Sequence, residues 1–125
     1  MKRSVYYFLF VLLLFLLSCQ KYESQIKGKV TYIALDNSNA YPAFGAVMEK
    51  LLVKDDKTEK ISAVSVDTNG NYLFEYVTAG QWKIKGTFTS GDTIYEGVSD
   101  LIQTNGEDVK TIDLILHFKD TIANE

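Results

Sequence analysis

The sequence predicts an all-β fold, and three observations along the chain lead to that prediction. Residues 61–66 form a β-branched run without Pro or Gly, and residues 71–77 are dominated by Tyr, Leu, Phe and Val, as strands are. The pair Asn69-Gly70 stands between these segments and tolerates the positive φ angles of a type I′ turn. Near the end of the chain Ile112, Leu114, Leu116 and Phe118 recur at every second position, which is the period of a half-buried strand.

The chain begins with a segment typical of an export signal. Lys2 and Arg3 form a basic start, and the thirteen residues 5–17 are continuously apolar. A helix needs roughly 20 such residues to cross a bilayer, so this segment is too short. We therefore predict a signal peptide and not a membrane-spanning helix.

The residues after the apolar segment resemble the lipobox of bacterial lipoproteins. In Leu16-Leu17-Ser18-Cys19, a Leu stands three places before the Cys and a small residue immediately before it. The resemblance implies that residues 1–18 are removed and that Cys19 is lipidated. Cys19 is the only cysteine, so a disulfide within the chain is impossible and lipidation explains the unpaired thiol. Two or more acyl chains anchor a protein stably, so we expect the processed protein to sit on a membrane without crossing it.

The charge and length of the processed chain limit its function and its domain count. Removal of residues 1–18 takes away Lys2 and Arg3 and no acidic residue, which moves the formal net charge from −3 to −5. An acidic surface without a Lys/Arg cluster repels phosphate backbones, so we predict no binding to nucleic acid. About 100 residues can bury one core, and we predict one domain.

A short polar segment, residues 19–25, forms the predicted lipidated tether. Lys21 and Glu23 loosely resemble the short lysine and acidic signals that direct lipoproteins of the Bacteroidetes to the outer face of the outer membrane. A solvated linker without a targeting role explains these charges equally well. Both interpretations stay open on the sequence.

The predicted domain starts with a strand at residues 26–33, where Ile26, Gly28, Val30 and Tyr32 alternate with more polar residues. Residues 35–44 contain the only Pro and several Asp and Asn residues, which predicts a loop of about ten residues. Residues 45–53 are ambiguous. Their apolar spacing fits a helix, and their residue types favour a helix slightly, although a strand with Val47, Leu51 and Val53 on one face is also possible.

The centre of the chain predicts a β-meander of three strands. Residues 61–66 and 71–77 are paired through the Asn69-Gly70 turn, and a third strand follows Gly80 with Trp82 directed into the core. Within residues 71–77, Tyr72 and Phe74 share the inward face, and Leu73 and Glu75 the other. Further strands are predicted at residues 93–98 and 110–118, before a polar tail at residues 119–125.

These segments together resemble the carboxypeptidase regulatory-like family. The resemblance is carried, in order, by residues 26–30 (IKGKV), 45–47 (GAV), 67–74 (DTNGNYLF) and 77–84 (VTAGQWKI). It implies a seven-stranded transthyretin-like (prealbumin-like) Greek-key β-sandwich over residues 26–118. It also implies that residues 45–53 form the second strand and not a helix. A shared fold of this kind does not specify a function.

The sequence offers little for catalysis or for a cofactor. His117 is the only histidine, and a lipidated Cys19 cannot ligate a metal, so we predict no metal site and no cofactor. No Ser or Cys beside His117 has a nucleophile signature, so we predict no catalytic residue and no enzyme. Asp67, Asn69 and Asn71 could offer oxygen ligands to calcium, but the Asn-Gly turn explains them without an ion.

Aromatic residues are the remaining candidates for binding. Tyr41 and Phe44 lie in or beside the predicted loop, and Tyr95 lies in a predicted edge strand, so these three are the candidate ligand contacts. We expect a non-catalytic binding or scaffolding module, lipid-anchored at the bacterial outer membrane on its periplasmic or surface-exposed face. By resemblance, it would be accessory to nutrient uptake, with a glycan ligand. The alternative is a structural or adhesin-like component that contacts an envelope protein, and a hydrolase is the weakest of the three.

Overall fold

The computed structural model describes residues 23–122. The predicted signal peptide, the predicted lipidation site at Cys19, most of the predicted tether and the last three residues lie outside the described residues. Ten strands make up the fold: β1 Ser24–Ile33, β2 Ala40–Pro42, β3 Val47–Lys54, β4 Lys57–Ser65, β5 Asn71–Val77, β6 Gly80–Ser90, β7 Thr93–Val98, β8 Ile102–Thr104, β9 Val109–Thr111 and β10 Leu114–Thr121. Residues 23–122 contain no helix, and therefore none that is long and apolar enough to cross a membrane.

The strands form one curled sheet that folds over itself into two layers. The smaller layer is β5-β1-β9, and the larger is β4-β3-β6-β7-β10, with β8 beside the start of β6. The long strand β1 belongs to both parts. Its first half pairs with β5 and β9, and its second half pairs in parallel with β10 and antiparallel with the short β2. The predicted all-β sandwich is confirmed.

One hydrophobic core lies between the layers. Its buried apolar residues are Ile26, Val30, Ala43, Ala46, Met48, Val66, Tyr72, Phe74, Val77, Trp82, Ile84, Tyr95, Ile102, Leu114 and Leu116. Burying one large aliphatic side chain contributes about 1.5–3 kcal/mol. The predicted burial of Trp82, and of Tyr72 and Phe74 on one face with Leu73 on the other, is confirmed.

The strand count is ten and not seven because short pairings occur outside the predicted strands and because one predicted strand is divided. The strand predicted at residues 110–118 is interrupted at residues 112 and 113, so that its start belongs to the separate strand β9. β2, β8 and β9 have three residues each, and β2 lies within the predicted loop at residues 35–44. The ambiguous segment at residues 45–53 is the strand β3, as the family resemblance implied, and the slight preference for a helix was wrong. β1 begins two residues before the predicted start of the domain, and β10 continues three residues past its predicted end.

The predicted meander was wrong, because the chain changes layer between β4 and β5. β4 pairs with β3, whereas β5 pairs with β1 on the opposite layer. Backbone hydrogen bonds hold this crossing in place, and they run from Gly45 N to Val66 O (3.0 Å) and from Val30 N to Gly70 O (2.7 Å). A local turn signal does not distinguish a hairpin from a connection between two sheets.

The turn at residues 67–70 also differs from the predicted type I′ turn. Only Gly70 has a positive φ, of 84°, whereas type I′ needs two such residues. The Asp67 carboxylate accepts hydrogen bonds from the backbone N–H groups of Asn69 (3.0 Å) and Asn71 (2.8 Å), and Gly70 N donates to Asp67 O (3.0 Å). The turn is therefore closed by the Asp67 side chain, in the manner of an Asx turn.

The start of β1 is fixed to the turn at residues 105–108. The buried Ser24 hydroxyl donates to the Asp108 carboxylate (2.5 Å) and accepts from Gly106 N (2.9 Å). Lys110 lies 3.3 Å from the same carboxylate. These contacts, the Ser24 bond foremost, lower the pKa of Asp108 below its ordinary value of 3.8.

Candidate binding pocket

An open pocket of about 400 Å³ lies at the end of the sandwich where β1 leads into β2. It is lined by Tyr32, Ala34, Leu35, Asp36, Asn37, Tyr41, Ser90, Thr93 and Tyr95. Two connections form its rim, the loop between β1 and β2 and the turn between β6 and β7. This end of β1 is about 30 Å from Ser24, since the strand rises about 3.3 Å per residue.

The loop between β1 and β2 is held in shape by its own hydrogen bonds. Ala34 N donates to Asn39 O (3.0 Å), and Ser38 N donates to Ala34 O (3.0 Å). The side chain of Asn37 accepts from Asn39 N (3.0 Å), while Ser38 takes a positive φ of 57°. The Asp and Asn residues that predicted a loop therefore organise it through side-chain bonds to the backbone.

Tyr41 is connected to this loop by its hydroxyl group. The Asn37 side-chain amide donates to the Tyr41 hydroxyl oxygen at 2.9 Å. Because the oxygen accepts this bond, the phenolic proton remains free to be donated elsewhere. The side chain of Tyr41 is 39% exposed, so a ligand in the pocket can reach it.

An aromatic cluster forms the wall of the pocket. The ring of Tyr32 lies 5.8 Å from Tyr41, 5.0 Å from Tyr95 and 4.6 Å from Phe88, measured between ring centroids. These distances are in the range at which aromatic pairs attract one another. The rings therefore brace each other before any ligand arrives.

The structure brings two of the three candidate aromatic residues together. Tyr41 and Tyr95 share the pocket, whereas Phe44 is 59% exposed and does not line it. Tyr95 was expected near a sheet edge, and that expectation was wrong. Its strand β7 pairs with both β6 and β10, and the side chain is only 5% exposed.

Seven of the nine lining residues were not among the predicted contacts, including Tyr32, Asp36 and Asn37. Tyr32 follows the alternating pattern of β1, which made it a core residue on the sequence, and Asn37 counted only as a loop former. The sequence signal that could have identified Asn37 is its position four residues before Tyr41. In a hairpin whose last residue pair is Ile33 with Ala40, this spacing brings the Asn37 side chain to the Tyr41 hydroxyl.

Outside the pocket, the residues of interest for chemistry stand apart. His117 is exposed on β10, and residues 23–122 contain no group of three or more His, Cys, Asp or Glu side chains that could hold a metal ion. A second open groove of about 530 Å³ is lined by Lys27, Lys29, Asp113 and four neighbours. There the Asp113 carboxylate accepts from Lys29 N (2.9 Å).

Lys50 is a charged residue inside the core. It is 5% exposed, and its Nζ lies 4.9 Å from the ring centroid of Trp82 and 5.9 Å from that of Phe74. Burial lowers the pKa of Lys50, and the charge of Glu23 partly opposes this shift. Cation–π attraction to the two rings compensates some of the lost hydration.

Known proteins give a comparison for the fold. No protein-family model matches the chain, and no curated protein matches it. A structure from Pseudomonas aeruginosa, solved as a candidate carbohydrate-binding protein, has a TM-score of 0.54 at 11% identity and covers 77% of this chain and 90% of that one. At this identity the likeness concerns the fold alone.

Two pilins are similar at lower TM-scores. They are the minor pilin of Streptococcus agalactiae (TM-score 0.47, 14% identity, 81% of this chain) and a shaft pilin of Lactobacillus rhamnosus (0.42, 6%, 79%). This chain spans only about half of each, 47% and 48%. The described residues thus define a β-sandwich with an open, tyrosine-lined pocket at one end.

Proposed function

We propose that this protein is a non-catalytic, glycan-binding module of the bacterial cell envelope. The observation that carries the proposal is the shared pocket of Tyr32, Tyr41 and Tyr95, rimmed by amide and hydroxyl groups. Aromatic rings pack against the C–H faces of sugars, and polar groups around them bind the sugar hydroxyls.

The pocket is organised before binding, which favours affinity. The rings are in mutual contact, and the loop of residues 34–39 is closed by its own hydrogen bonds. Little conformational entropy remains to be lost when a ligand orders these groups. The similar fold of the Pseudomonas protein, which was solved as a candidate carbohydrate-binding protein, is in line with this proposal.

The proposed location follows from the sequence. Residues 1–18 are the signal peptide, Cys19 carries the lipid, and residues 19–25 connect it to the sandwich at the outer membrane. The pocket, at the far end of β1, then faces away from the membrane, as an accessory protein of nutrient uptake requires. Cys19→Ala should abolish incorporation of labelled fatty acid and release the protein from membranes. Unchanged incorporation and membrane association would contradict the lipid anchor.

Calorimetry with a panel of oligosaccharides tests the binding function. Loss of the exposed Tyr41 ring in Tyr41→Ala should weaken binding about tenfold, since an aromatic contact of this kind is worth roughly 1–1.5 kcal/mol. Phe44→Ala and Tyr76→Ala are matched controls, because both rings are exposed, at 59% and 71%, and neither lines the pocket. Absence of binding to every oligosaccharide, or an equal loss in the controls, would overturn the proposal.

A second candidate function is an adhesin-like or structural component that binds an envelope protein. The observation in its favour is the free edge of β5, which pairs only with β1 among the described strands. A partner strand could add to that edge. β4 is a poorer edge, because it carries Lys57, Glu59 and Lys60 and an irregular register. Cross-linking from Glu75→Cys on β5, in cells, would capture a partner protein under this alternative and none under the glycan-binding function.

A further inference from the structure

We infer that the pocket selects neutral glycans with free neighbouring hydroxyl groups and rejects glycans that carry carboxylate or sulfate groups. This inference rests on the proposed function and specifies its ligand class. It is drawn from the charges and the hydrogen-bonding groups of the pocket and not from its aromatic rings.

The lining of the pocket has one kind of charge. Among residues 23–122, Asp36 is the only charged residue of the lining, and no Lys, Arg or His contributes to it. Asp92 follows Ser90 by two positions, in the turn that forms the opposite rim. An anionic ligand would therefore enter a region of negative potential with no cation in the lining to compensate its charge.

The hydrogen-bonding groups also discriminate between ligands. The hydroxyl oxygen of Tyr41 already accepts from Asn37, so Tyr41 offers its proton as a donor. Asp36, when ionised, offers only acceptors, and within residues 23–122 its carboxylate makes no hydrogen bond or ion pair. A pair of neighbouring sugar hydroxyls accepts from Tyr41 and donates to Asp36. A carboxylate or sulfate has no proton to give to Asp36.

The position of Asp36 is fixed by the loop. The bonds between Ala34, Ser38 and Asn39 close the loop around it, and Asn37 uses both ends of its side-chain amide within the loop and strand. The backbone of Asp36 therefore keeps its place in the lining, which also contains Tyr41, before a ligand binds. Charge selection is a property of the unliganded pocket.

Calorimetry on matched pairs of oligosaccharides tests the inference. The probes are galactose, glucose, mannose and xylose tetrasaccharides, a galacturonic acid tetrasaccharide and a sulfated galactose tetrasaccharide, each at low and high salt. The best neutral probe should bind at least tenfold more tightly than its acidic counterpart, and high salt should reduce this ratio. Asp36→Lys should reduce the ratio about tenfold or reverse it.

Glu59→Lys is the matched control, because it makes the same change of charge on the exposed strand β4. Glu59 pairs with Leu52, and Leu52 pairs with Trp82, so Glu59 lies towards the end of β6 remote from Ser90. The control should leave the ratio unchanged. Equal or tighter binding of the acidic probes, or no effect of Asp36→Lys, would overturn this inference while the glycan-binding function stands. Absence of binding to every probe would overturn both.

Discussion

The Asn37 side-chain amide donates a 2.9 Å hydrogen bond to the Tyr41 hydroxyl, across the loop that joins β1 to β2. This bond anchors the hydroxyl end of a ring that is 39% exposed. The ring in turn rests on Tyr32, which contacts the buried Tyr95. A loop residue is thereby coupled to the core through three tyrosines.

Replacement of Asn37 should weaken glycan binding, although its side-chain amide already forms two hydrogen bonds within the protein. Asn37→Ala removes the bond to Tyr41 and the bond to Asn39 N, so we expect a three- to tenfold rise in Kd, measured by calorimetry with the best neutral oligosaccharide. Asn39→Ala is the control, because Asn39 takes part through its backbone. If both variants bind alike, the bond to Tyr41 does not organise the pocket.

The Ser24 and Asp108 contact should make stability depend on pH in the acid range. The pKa of Asp108 is lower in the folded protein than its ordinary 3.8, so its contribution is present above pH 3.8 and is lost as pH falls through the folded pKa. Asp108→Asn should lower Tm at pH 7, and the difference from the unchanged protein should narrow as the pH falls below 3.8. Glu107→Gln, on the same turn, should show neither effect in thermal unfolding monitored by circular dichroism. A difference in Tm that does not narrow as the pH falls below 3.8 would contradict this assignment.

Lys50 should cost stability at neutral pH. Its pKa is lowered by burial, so the unfolded chain binds this proton more readily; the penalty is absent above pH 10.5 and complete below the folded pKa. Lys50→Met keeps the packing against Trp82 and removes the charge, and we expect about 1 kcal/mol of added stability in urea unfolding at pH 7. Lys54→Met, at the exposed end of β3, is the control. A less stable Lys50→Met protein would show that the attraction of the ammonium to the two rings exceeds its desolvation cost.

Gly28 should tolerate no side chain. A Cβ at this position would lie 2.0 Å from the carbonyl oxygen of Ile112, the same oxygen that accepts the Tyr72 hydroxyl at 2.5 Å. The carbonyl oxygen of Ile112 is a backbone atom and cannot move aside as the end of a flexible side chain can. Gly28→Ala should therefore cost about 3 kcal/mol or more in urea unfolding. Gly91→Asn is the comparison, because Gly91 has open space around it and Asn accepts its φ of 62°. A small effect of Gly28→Ala would mean that the link from β9 to β10 can shift.

Much of the fold could be predicted because its signals are local. Alternation placed β1 and β10, and the inward pair Tyr72 and Phe74 followed from the period of β5. The pairing of strands was harder to predict than their positions. The turn at Asn69-Gly70 has the residue types of a hairpin, but Gly70 and Val66 accept backbone hydrogen bonds from Val30 and Gly45, which lie elsewhere in the chain. β2 and β8 escaped prediction because three residues are too few to show a period. β9 was merged with β10, because the alternating pattern continues through the interruption at residues 112 and 113.

The pocket was predicted in part. Tyr41 stood out as an aromatic residue in a polar loop, and it does line the pocket. Phe44 carried the same signal and lies elsewhere, because exposure of a loop residue depends on how the loop packs. Tyr32 could not be identified as a pocket residue from the sequence, because it occupies the same alternating positions of β1 as the buried core residues.

The most direct test of glycan binding is a titration followed by NMR of the tyrosine rings. We predict that a neutral tetrasaccharide shifts the ring signals of Tyr32, Tyr41 and Tyr95 in a saturable manner, while those of Tyr76 stay unchanged. Shifts confined to Tyr76 and its neighbours on β5, or no shifts with any neutral oligosaccharide, would contradict the account.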